Sequence, residues 1–378
     1  MNPSLPGRPT WAEIDLERLA ENFRAIKSFC GPGLQYMAVI KANAYGHGAV
    51  ECGRRLEAEG ADWFGVATLE EGVQLRQAGI VRPILVLGGL WPGQEVSFLN
   101  FGLTPVIFTV EQAELLADAA MEAGTIVGIH VKIDTGMNRI GFRPEEVHQI
   151  AQKLAALGSI KVEGLMSHFA CADDLSEIDF TNRQMSAFSS AVDIFLSAGH
   201  RPEIIDLANS PGAVAHPQSR SKMVRIGGIL YGITRDILPE RIDRPPLKPV
   251  MSVFTKIAMI KSVPAGETIG YSRTFTTGRD SLIATIALGY NDGYDRALSN
   301  KGDVVVRGRF APVVGRVSMD WVTIDVTDVP DIKAGDTVVV LGTDGRASVT
   351  AEDIAKKIDT ISYEITCGIA HRVPRIFK

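Results

Sequence analysis

A lysine that ends a short apolar run is the first residue of this sequence whose type and position could do chemistry. Lys41 directly follows Met37–Ile40, and Asn43, Tyr45 and Gly48 come soon after it. Apolar neighbours desolvate an ammonium group, and a partly desolvated amine becomes a usable base or nucleophile. The alternative is a lysine whose stem lies along apolar surface while its charge reaches solvent. The polar and flexible residues that follow favour the chemical role.

Two later segments have the residue types of an anion-binding site. Asn209 and Ser210 form one segment, and Gly227 and Gly228 lie in the other. Glycine lets backbone N–H groups approach an anion, and a serine hydroxyl donates a further hydrogen bond. A pair of glycines alone is more often a tight turn than a phosphate site. The place of these segments relative to the predicted strands therefore decides between the two interpretations.

Two arginines and a histidine could complete such a site. Arg225 lies at the end of an apolar run, where a guanidinium needs an acceptor, either an acidic side chain or a ligand nitrogen or carboxylate. Arg139 could bind a substrate carboxylate through its planar fork, or it could simply pair with Asp134. His168 could be a general base, a group stacked on a ligand ring or a core histidine, and taken alone the core role is favoured.

The elements that must position these residues are eight short apolar runs separated by helical patterns. The runs are Tyr36–Ile40, Trp63–Ala67, Pro83–Leu87, Pro105–Phe108, Val127–Ile133, Val162–Met166, Glu203–Leu207 and Lys222–Ile226. Near-continuous apolar strands that alternate with amphipathic helices indicate parallel strands covered by helices. The number of repeats predicts a closed (β/α)8 barrel rather than an open, doubly wound sheet. The candidate residues lie at or just after the ends of these runs, so we expect them to converge at the carboxyl-terminal rim of the barrel, where phosphate often binds after the last strands.

The last third of the chain has a different pattern. Short β-branched runs separated by Gly and Asp turns predict a mainly antiparallel β domain, in which only Ala351–Ile358 reads as a helix. The proline-rich segment 244–249 is a plausible boundary. The predicted domains are therefore residues 12–243 and residues 244–378, with residues 1–11 packing on the second.

The bulk composition limits the class of protein. Of the 378 residues, 46% are hydrophobic and 22% are charged, and the net charge is −5. These values are typical of a globular protein and argue against nucleic acid or an anionic membrane as a partner. The four cysteines are far apart and form no CxxC pair, so free thiols are expected rather than disulfides or a metal site. With neither a signal peptide nor a long apolar stretch visible, the sequence predicts a cytoplasmic protein.

Several ordered motifs resemble those of the alanine racemases, enzymes that depend on pyridoxal 5′-phosphate (PLP). In the first domain they are AVIKANAYGHG, HVKIDTGMNRIGF, SHFACAD, ANSPGA and VRIGGILYG. In the second they are IGYSRTF, IALGYNDGYDR, VVGRVSMDWVTIDV and ISYEITCGIAHRVPR. The resemblance extends from Trp11 to Arg375, and so many motifs in order are far more specific than any one of them. The chain departs from the usual VRPGIxLYG pattern at Ile226 and Gly228.

The resemblance implies a role for each candidate residue. Lys41 would carry PLP and act as one base, and Tyr271, delivered from the other subunit of a homodimer, would act as the opposed base. The residues implied to hold the cofactor are Tyr45, His168, Asn209, Ser210, Arg225, Gly227, Gly228 and Tyr363. Arg139 and Met319 are matched to substrate-carboxylate binding, and Lys132, Tyr290 and Asp320 to supporting positions. The lysine that matches Lys132 is carbamylated in some members of the family.

The expected function is the interconversion of L-alanine and D-alanine, with D-alanine supplied for peptidoglycan. Use of serine beside alanine is one alternative. A PLP-dependent decarboxylase of the same two-domain plan is another, but those enzymes place an acidic residue against the pyridine nitrogen where this chain has Arg225. A non-catalytic PLP-binding protein would be a single domain, whereas this chain has residues 245–378 in addition.

Overall fold

A closed barrel of eight parallel strands dominates the computed structural model, which describes residues 7–378. The barrel lies in a compact unit formed by residues 19–248, and residues 249–378 together with residues 7–18 form a second unit. Each barrel strand pairs with the next along the chain, and the first pairs with the last, through the register of Met37 with Arg225. The predicted (β/α)8 barrel is confirmed.

The observed strands lie within two residues of the predicted apolar runs. The barrel strands are Gln35–Val39 (β2), Trp63–Val66 (β3), Ile84–Val86 (β4), Thr104–Ile107 (β5), Val127–Lys132 (β6), Ile160–Met166 (β7), Ile204–Asp206 (β8) and Met223–Ile226 (β9). The helices are Leu16–Cys30 (α1), Ala49–Ala58 (α3), Leu69–Gln77 (α4), Glu95–Phe101 (α5), Val110–Glu122 (α6), Val147–Ala155 (α7), Ile178–Ser197 (α8) and Ser210–Ala215 (α9), and a short left-handed turn, Lys41–Tyr45 (α2), follows β2. Among the helices of residues 7–378, none has the length and apolar character that crossing a membrane requires.

The barrel interior is apolar except on its last strands and on β6. One buried apolar cluster consists of Met37, Val39, Trp63, Leu85, Val106, Met166, Ile204 and Met223. His130 of β6 is fully buried among these side chains, and neither ring nitrogen has a hydrogen-bond partner among the described residues. A Cβ on Gly164 would lie 2.6 Å from the His130 ring, so only glycine leaves room for the imidazole on the adjacent strand.

The second unit is built on a mainly antiparallel sheet, in which only β1 and β19, among the described strands, pair in parallel. Its strands are Trp11–Ile14 (β1), Met251–Val263 (β10), Thr268–Ile269 (β11), Phe275–Thr276 (β12), Ser281–Ile286 (β13), Asp303–Val306 (β14), Arg309–Pro312 (β15), Val322–Asp325 (β16), Thr337–Asp344 (β17), Ala347–Val349 (β18) and Arg375–Phe377 (β19). The central path of the sheet runs β15–β14–β17–β10–β1–β19, with β13 attached to β10, β16 to β13 and β18 to β17, while β11 and β12 form a separate hairpin. The predicted antiparallel β domain is confirmed.

Two features of this unit differ from the sequence prediction. Its helices are Ala351–Ile358 (α10) and Ser362–Gly368 (α11), so the expectation of a single helix was wrong; the seven residues of α11 are too few to show helical periodicity. Strand β1 pairs with β10, which places residues 12–18 in the β unit although the predicted first domain began at residue 12. Of the residues expected to pack on this unit, 7–11 lie in it and 1–6 lie outside the described residues.

The buried imidazole of His130 predicts an acid-sensitive stability. Burial lowers the pKa of His130 to about 3, and the charge of Arg225 adds to the shift. Below the ordinary histidine pKa of about 6.5, His130 is protonated in the unfolded chain but stays neutral in the native barrel. The free energy of unfolding therefore decreases as the pH is lowered, by about 2 kcal/mol at about pH 5 relative to neutral pH. Denaturant unfolding at neutral and mildly acidic pH should show a smaller loss in His130→Leu than in the wild type.

The matched control is His148→Gln, because His148 is exposed. This variant should keep the wild-type pH dependence. An unchanged acid sensitivity in His130→Leu would contradict the assignment to His130.

Candidate active site

The backbone adopts a left-handed conformation directly after Lys41. Ala42, Asn43, Ala44 and Tyr45 all have φ between 52° and 54°. This left-handed conformation costs roughly 1–2 kcal/mol for each residue with a side chain, so the surroundings must hold it. The carbonyl of Ile40 accepts the N–H of Ala44 at 2.8 Å, and the side-chain oxygen of Asn43 accepts the N–H of Ala49 at 2.8 Å.

The left-handed turn directs Tyr45 toward the end of the last barrel strand. Its ring packs against Tyr231 at a centroid distance of 5.1 Å, and Tyr231 also stacks on His47 at 4.4 Å. A Cβ on Gly227 would lie 2.8 Å from the Tyr45 hydroxyl oxygen, so the tyrosine reaches the backbone of Gly227 only because a side chain is absent there. The hydroxyl of Ser210 accepts the N–H of Gly227 at 3.0 Å.

These contacts bring part of the predicted anion site together. Ser210 begins α9, and Gly228 begins a 3₁₀ turn that ends at Tyr231, so both supply N–H groups from helix starts. Asn209 has a different local role: its side-chain oxygen caps α9 by accepting the N–H of Gly212 at 3.0 Å. Tyr45, Ser210 and Gly227, with Gly228 beside them, form a polar cradle at this rim.

Arg225 has the acidic partner that was one of the two alternatives left open by the sequence. Its guanidinium forms a buried salt bridge with Asp206, and both side chains are almost fully buried. A second nitrogen donates to the carbonyl of Ser167 at 2.9 Å and contacts Nδ1 of His168 at 3.0 Å. Among residues 7–378, Nε of Arg225 contacts no acceptor. One donor of a buried guanidinium is therefore left for a ligand.

Three buried or half-buried titratable groups surround this arginine. Burial lowers the pKa of His168 well below its usual range, and the charges of Arg225 and Lys132 add to the shift. His168 is therefore neutral, and because Nδ1 faces a guanidinium donor, the proton is assigned to Nε2. Burial also lowers the pKa of Lys132 strongly, with Arg225 next in effect. Burial raises the pKa of Asp206, and Arg225 opposes that shift.

Arg139 does not pair with Asp134 through its guanidinium. The carboxylate of Asp134 accepts the backbone N–H groups of Gly136, Asn138 and Arg139 at 3.0, 3.0 and 3.1 Å. Burial opposes the charge of Asp134, but these backbone donors outweigh it and lower the pKa of the carboxyl. The loop is thereby fixed and the Arg139 residue is exposed. A small cavity lined by Lys132, Asp134, Arg139 and His168 lies beside it.

Tyr271 lies in the second unit, at the tip of the β11–β12 hairpin. It is 71% exposed. Gly270 before it and Ser272 and Arg273 after it all have positive φ, of 74°, 59° and 53°. The tip is anchored by the hydrogen bond from Arg273 Nε to Thr268 Oγ1 at 2.9 Å. The sequence therefore folds a strained turn that presents one aromatic side chain.

A buried carboxylate that sequence reasoning missed organises the other candidate residues of this unit. Asp292 is 2% exposed and accepts hydrogen bonds from Arg8 at 2.8 Å and from Arg372 Nε at 2.6 Å. Arg372 also binds the carboxylate of Asp320 at 2.8 Å. The two arginines lie 284 and 80 residues from Asp292 along the chain, a separation that no local sequence pattern reveals.

Three exposed side chains, Tyr290, Met319 and Trp321, form a row beside this network. Tyr290, Met319 and Trp321 are 41%, 52% and 48% exposed. A Cβ on Gly289 would lie 2.3 Å from the carbonyl oxygen of Met319, so the two loops touch backbone to backbone. The N–H of Tyr290 donates to the carbonyl of Ser318 at 3.0 Å.

The structure thus divides the predicted site residues between the two units. The barrel unit contains Lys41, Tyr45, Lys132, Arg139, His168, Asn209, Ser210, Arg225, Gly227 and Gly228. The second unit contains Tyr271, Tyr290, Met319, Asp320 and Tyr363, the last on α11 and partly buried.

Comparison with known protein families gives two matches. The model described as alanine racemase, N-terminal domain, matches residues 14–235. The model described as alanine racemase, C-terminal domain, matches residues 250–377. Together they cover nearly the whole chain.

Individual relatives agree with these matches. The alanine racemase of Halothermothrix orenii is 44% identical over 373 residues, which is 98% of this chain and 97% of the relative. The solved alanine racemase of Clostridium difficile 630 superposes with a TM-score of 0.91 at 38% identity, covering 99% of this chain and 97% of the other. That of Bartonella henselae, solved with covalently bound pyridoxal phosphate, gives 0.88 at 29% identity over 99% of this chain and 100% of the other.

The Arg225–Asp206 pair generates a stability prediction. Asp206→Asn removes the carboxylate and leaves a buried guanidinium without its counter-charge, a change that typically destabilises by about 3–5 kcal/mol. Denaturant unfolding measures the loss. The control is Glu203→Gln in the exposed pair with Lys161, where we expect at most about 1 kcal/mol. If the two substitutions lowered the free energy of unfolding equally, burial would not be what makes the Arg225–Asp206 pair important for stability.

Proposed function

The chain belongs to the alanine racemase family and is an enzyme of that type, and from this premise we propose that it racemises alanine with PLP and two opposed acid–base groups, Lys41 and Tyr271. The observation that carries the proposal is the cradle of Tyr45, Ser210 and Gly227, which lies one left-handed turn away from Lys41.

The residues present fit a phosphorylated pyridine. The cradle offers the Tyr45 hydroxyl and helix-start N–H groups to a phosphate, as anion sites at helix starts do. Arg225 has an unengaged Nε for an acceptor such as a ring nitrogen, while its other nitrogens are held by Asp206 and His168. Lys41 supplies an amine for covalent attachment. Gly228, Asn209 and Tyr363 are proposed to complete the phosphate and cofactor contacts.

The proposed reaction moves a proton from one face of the substrate Cα to the other. When bound, PLP stabilises negative charge at that carbon. Lys41 removes or delivers the proton on the D side, and Tyr271 does so on the L side. A tyrosine works as a base only when a cation stabilises its phenolate, and Arg225, which contacts the neutral His168, supplies that positive charge.

Arg225 has a further part in the proposal. A guanidinium does not give up its proton, so a ring nitrogen facing it stays unprotonated. Such a ring withdraws electrons less strongly, and we infer that protonation is thereby confined to the substrate Cα. An acidic residue at this position, as in the decarboxylases of the same plan, would have the opposite effect.

We propose that the substrate carboxylate binds to Arg139, whose loop Asp134 holds in place, and to Met319. Burial lowers the pKa of Lys132 and so favours the neutral amine, the form that carbon dioxide would carbamylate to give an anion close to Arg139. Alanine is the proposed substrate, in a cytoplasmic supply of D-alanine for peptidoglycan. Serine is the alternative substrate, and a direct assay of racemisation of each amino acid distinguishes the two.

We propose a homodimer in which each site takes Tyr271, Tyr290 and Asp320 from the partner. The support is the exposure of Tyr271 and of the row that contains Tyr290, since large aromatic side chains at such exposure commonly mark interfaces.

The primary test follows L-alanine in D2O by optical rotation and by deuterium at Cα. The wild type should lose optical rotation as it incorporates deuterium, and Tyr271→Phe, which lacks the phenol oxygen, should be slowed about 100-fold or more from the L side. Trp91→Phe, which changes an exposed aromatic residue of the barrel unit, is the control and should behave as wild type. PLP binding without any Cα exchange would contradict the racemase proposal.

A subunit-mixing experiment tests the shared site. Lys41→Ala and Tyr271→Phe variants should each be inactive alone. After mixing and subunit exchange, mixed dimers contain one site with both residues intact, so activity should return to about a quarter of wild type for random association. No recovery in a mixture shown to contain mixed dimers would mean that both residues come from one chain.

A further inference from the structure

We propose that Glu71 is a positioning residue for the site, a carboxylate clamp that holds the turn after Lys41 in its left-handed conformation. The inference rests on the proposed function in that it treats Lys41 and Tyr45 as the residues being positioned. Glu71 lies on α4, outside every motif that relates the chain to its family.

The clamp joins two strand ends. Oε1 of Glu71 accepts the N–H of Ala42 at 2.7 Å, and Oε2 accepts the N–H of Ala67 at 2.7 Å. Ala42 is the residue directly after Lys41, and Ala67 is the residue directly after β3. One carboxylate therefore ties the first residue of the left-handed turn to the end of the neighbouring strand.

This use of Glu71 departs from what its sequence position predicts. Thr68 caps α4 and Glu71 is three residues later, the spacing of a capping box, in which the acidic side chain returns to the N–H of the cap residue. On α6 the equivalent pair, Thr109 and Gln112, forms the complete box. On α4 Thr68 accepts the N–H of Glu71, but the Glu71 carboxylate bonds to Ala42 and Ala67 instead.

Glu71 binds the chain at the residue where the strained left-handed segment begins. Ala42 is exposed and begins the run of four left-handed residues, whereas Ala44 is buried and Asn43 is fixed by its own side-chain bond. If Ala42 returned to a right-handed conformation, the path of the chain to Tyr45 would change and the hydroxyl would leave the backbone of Gly227. A carboxylate suits the task because both oxygens only accept, and both face N–H donors.

The test uses Glu71→Ala, Glu71→Gln, Ala42→Gly and the double variant Glu71→Ala/Ala42→Gly, with Gln112→Ala as the matched control at the equivalent helix start. The first readout is hydrogen–deuterium exchange of the segment 41–48 in protein freed of cofactor. We expect faster exchange there in both Glu71 variants and wild-type exchange in Gln112→Ala.

The second readout is the dissociation constant for PLP. Glu71→Ala should raise it about tenfold, the usual effect of losing one effective hydrogen bond to a peptide N–H. Glycine adopts the left-handed conformation without the steric cost of a Cβ, so Ala42→Gly should restore most of the affinity in the double variant. A merely structural loss would not be rescued by this substitution.

Two outcomes would overturn the proposal: unchanged exchange of the segment 41–48 in Glu71→Ala, or a double variant that binds PLP no better than Glu71→Ala. If the wild type did not bind PLP, the proposed function would fail, while the exchange measurement would still decide whether Glu71 holds the turn.

Discussion

The buried ion pair between Arg225 and Asp206 is the interaction on which the barrel rim depends. A guanidinium without a partner inside a barrel would be strongly destabilising, and Asp206 on the adjacent strand removes most of that penalty. The pair also fixes the guanidinium plane, so one nitrogen meets Nδ1 of His168. The tautomer of His168 follows from that contact, and its neutral state follows from burial together with the charge of Arg225. The pair therefore sets the charge and the hydrogen-bonding direction of neighbouring groups as well as its own.

Much of the fold could be predicted because its strands are buried on both faces. A parallel barrel strand must be apolar nearly throughout, so each strand is visible as a run such as Trp63–Ala67. The position of Lys41, Ser210 and Gly227 at one rim then follows from the direction of the strands. The helix α11 escaped prediction because seven residues contain barely two turns, and its surroundings rather than its own pattern stabilise it.

The partners of the site residues were the part that sequence could not supply. Arg225 was known to need an acceptor, but the choice between a salt bridge and a ligand depends on which residue the next strand places opposite it, and the structure shows Asp206 there together with a spare nitrogen. Asp134 was a candidate partner for the Arg139 side chain and instead binds the backbone of the loop. Glu71 would be interpreted as a helix cap, because a capping box is local whereas one of its actual partners, Ala42, lies on another segment.

Consecutive residues with side chains and positive φ lie beside the two proposed acid–base residues. Lys41 precedes four left-handed residues, and Tyr271 lies between Gly270 and two further residues of positive φ. Such backbone persists only where other contacts over-determine it, and here those contacts are side-chain acceptors and donors: Glu71 and Asn43 in the barrel unit, Arg273 in the other. A proton must be exchanged at one carbon from fixed directions, so the position of each base has to be specified more tightly than an unstrained loop allows. Left-handed turns of residues with side chains achieve this because alternative conformations of the same segment would break several hydrogen bonds at once.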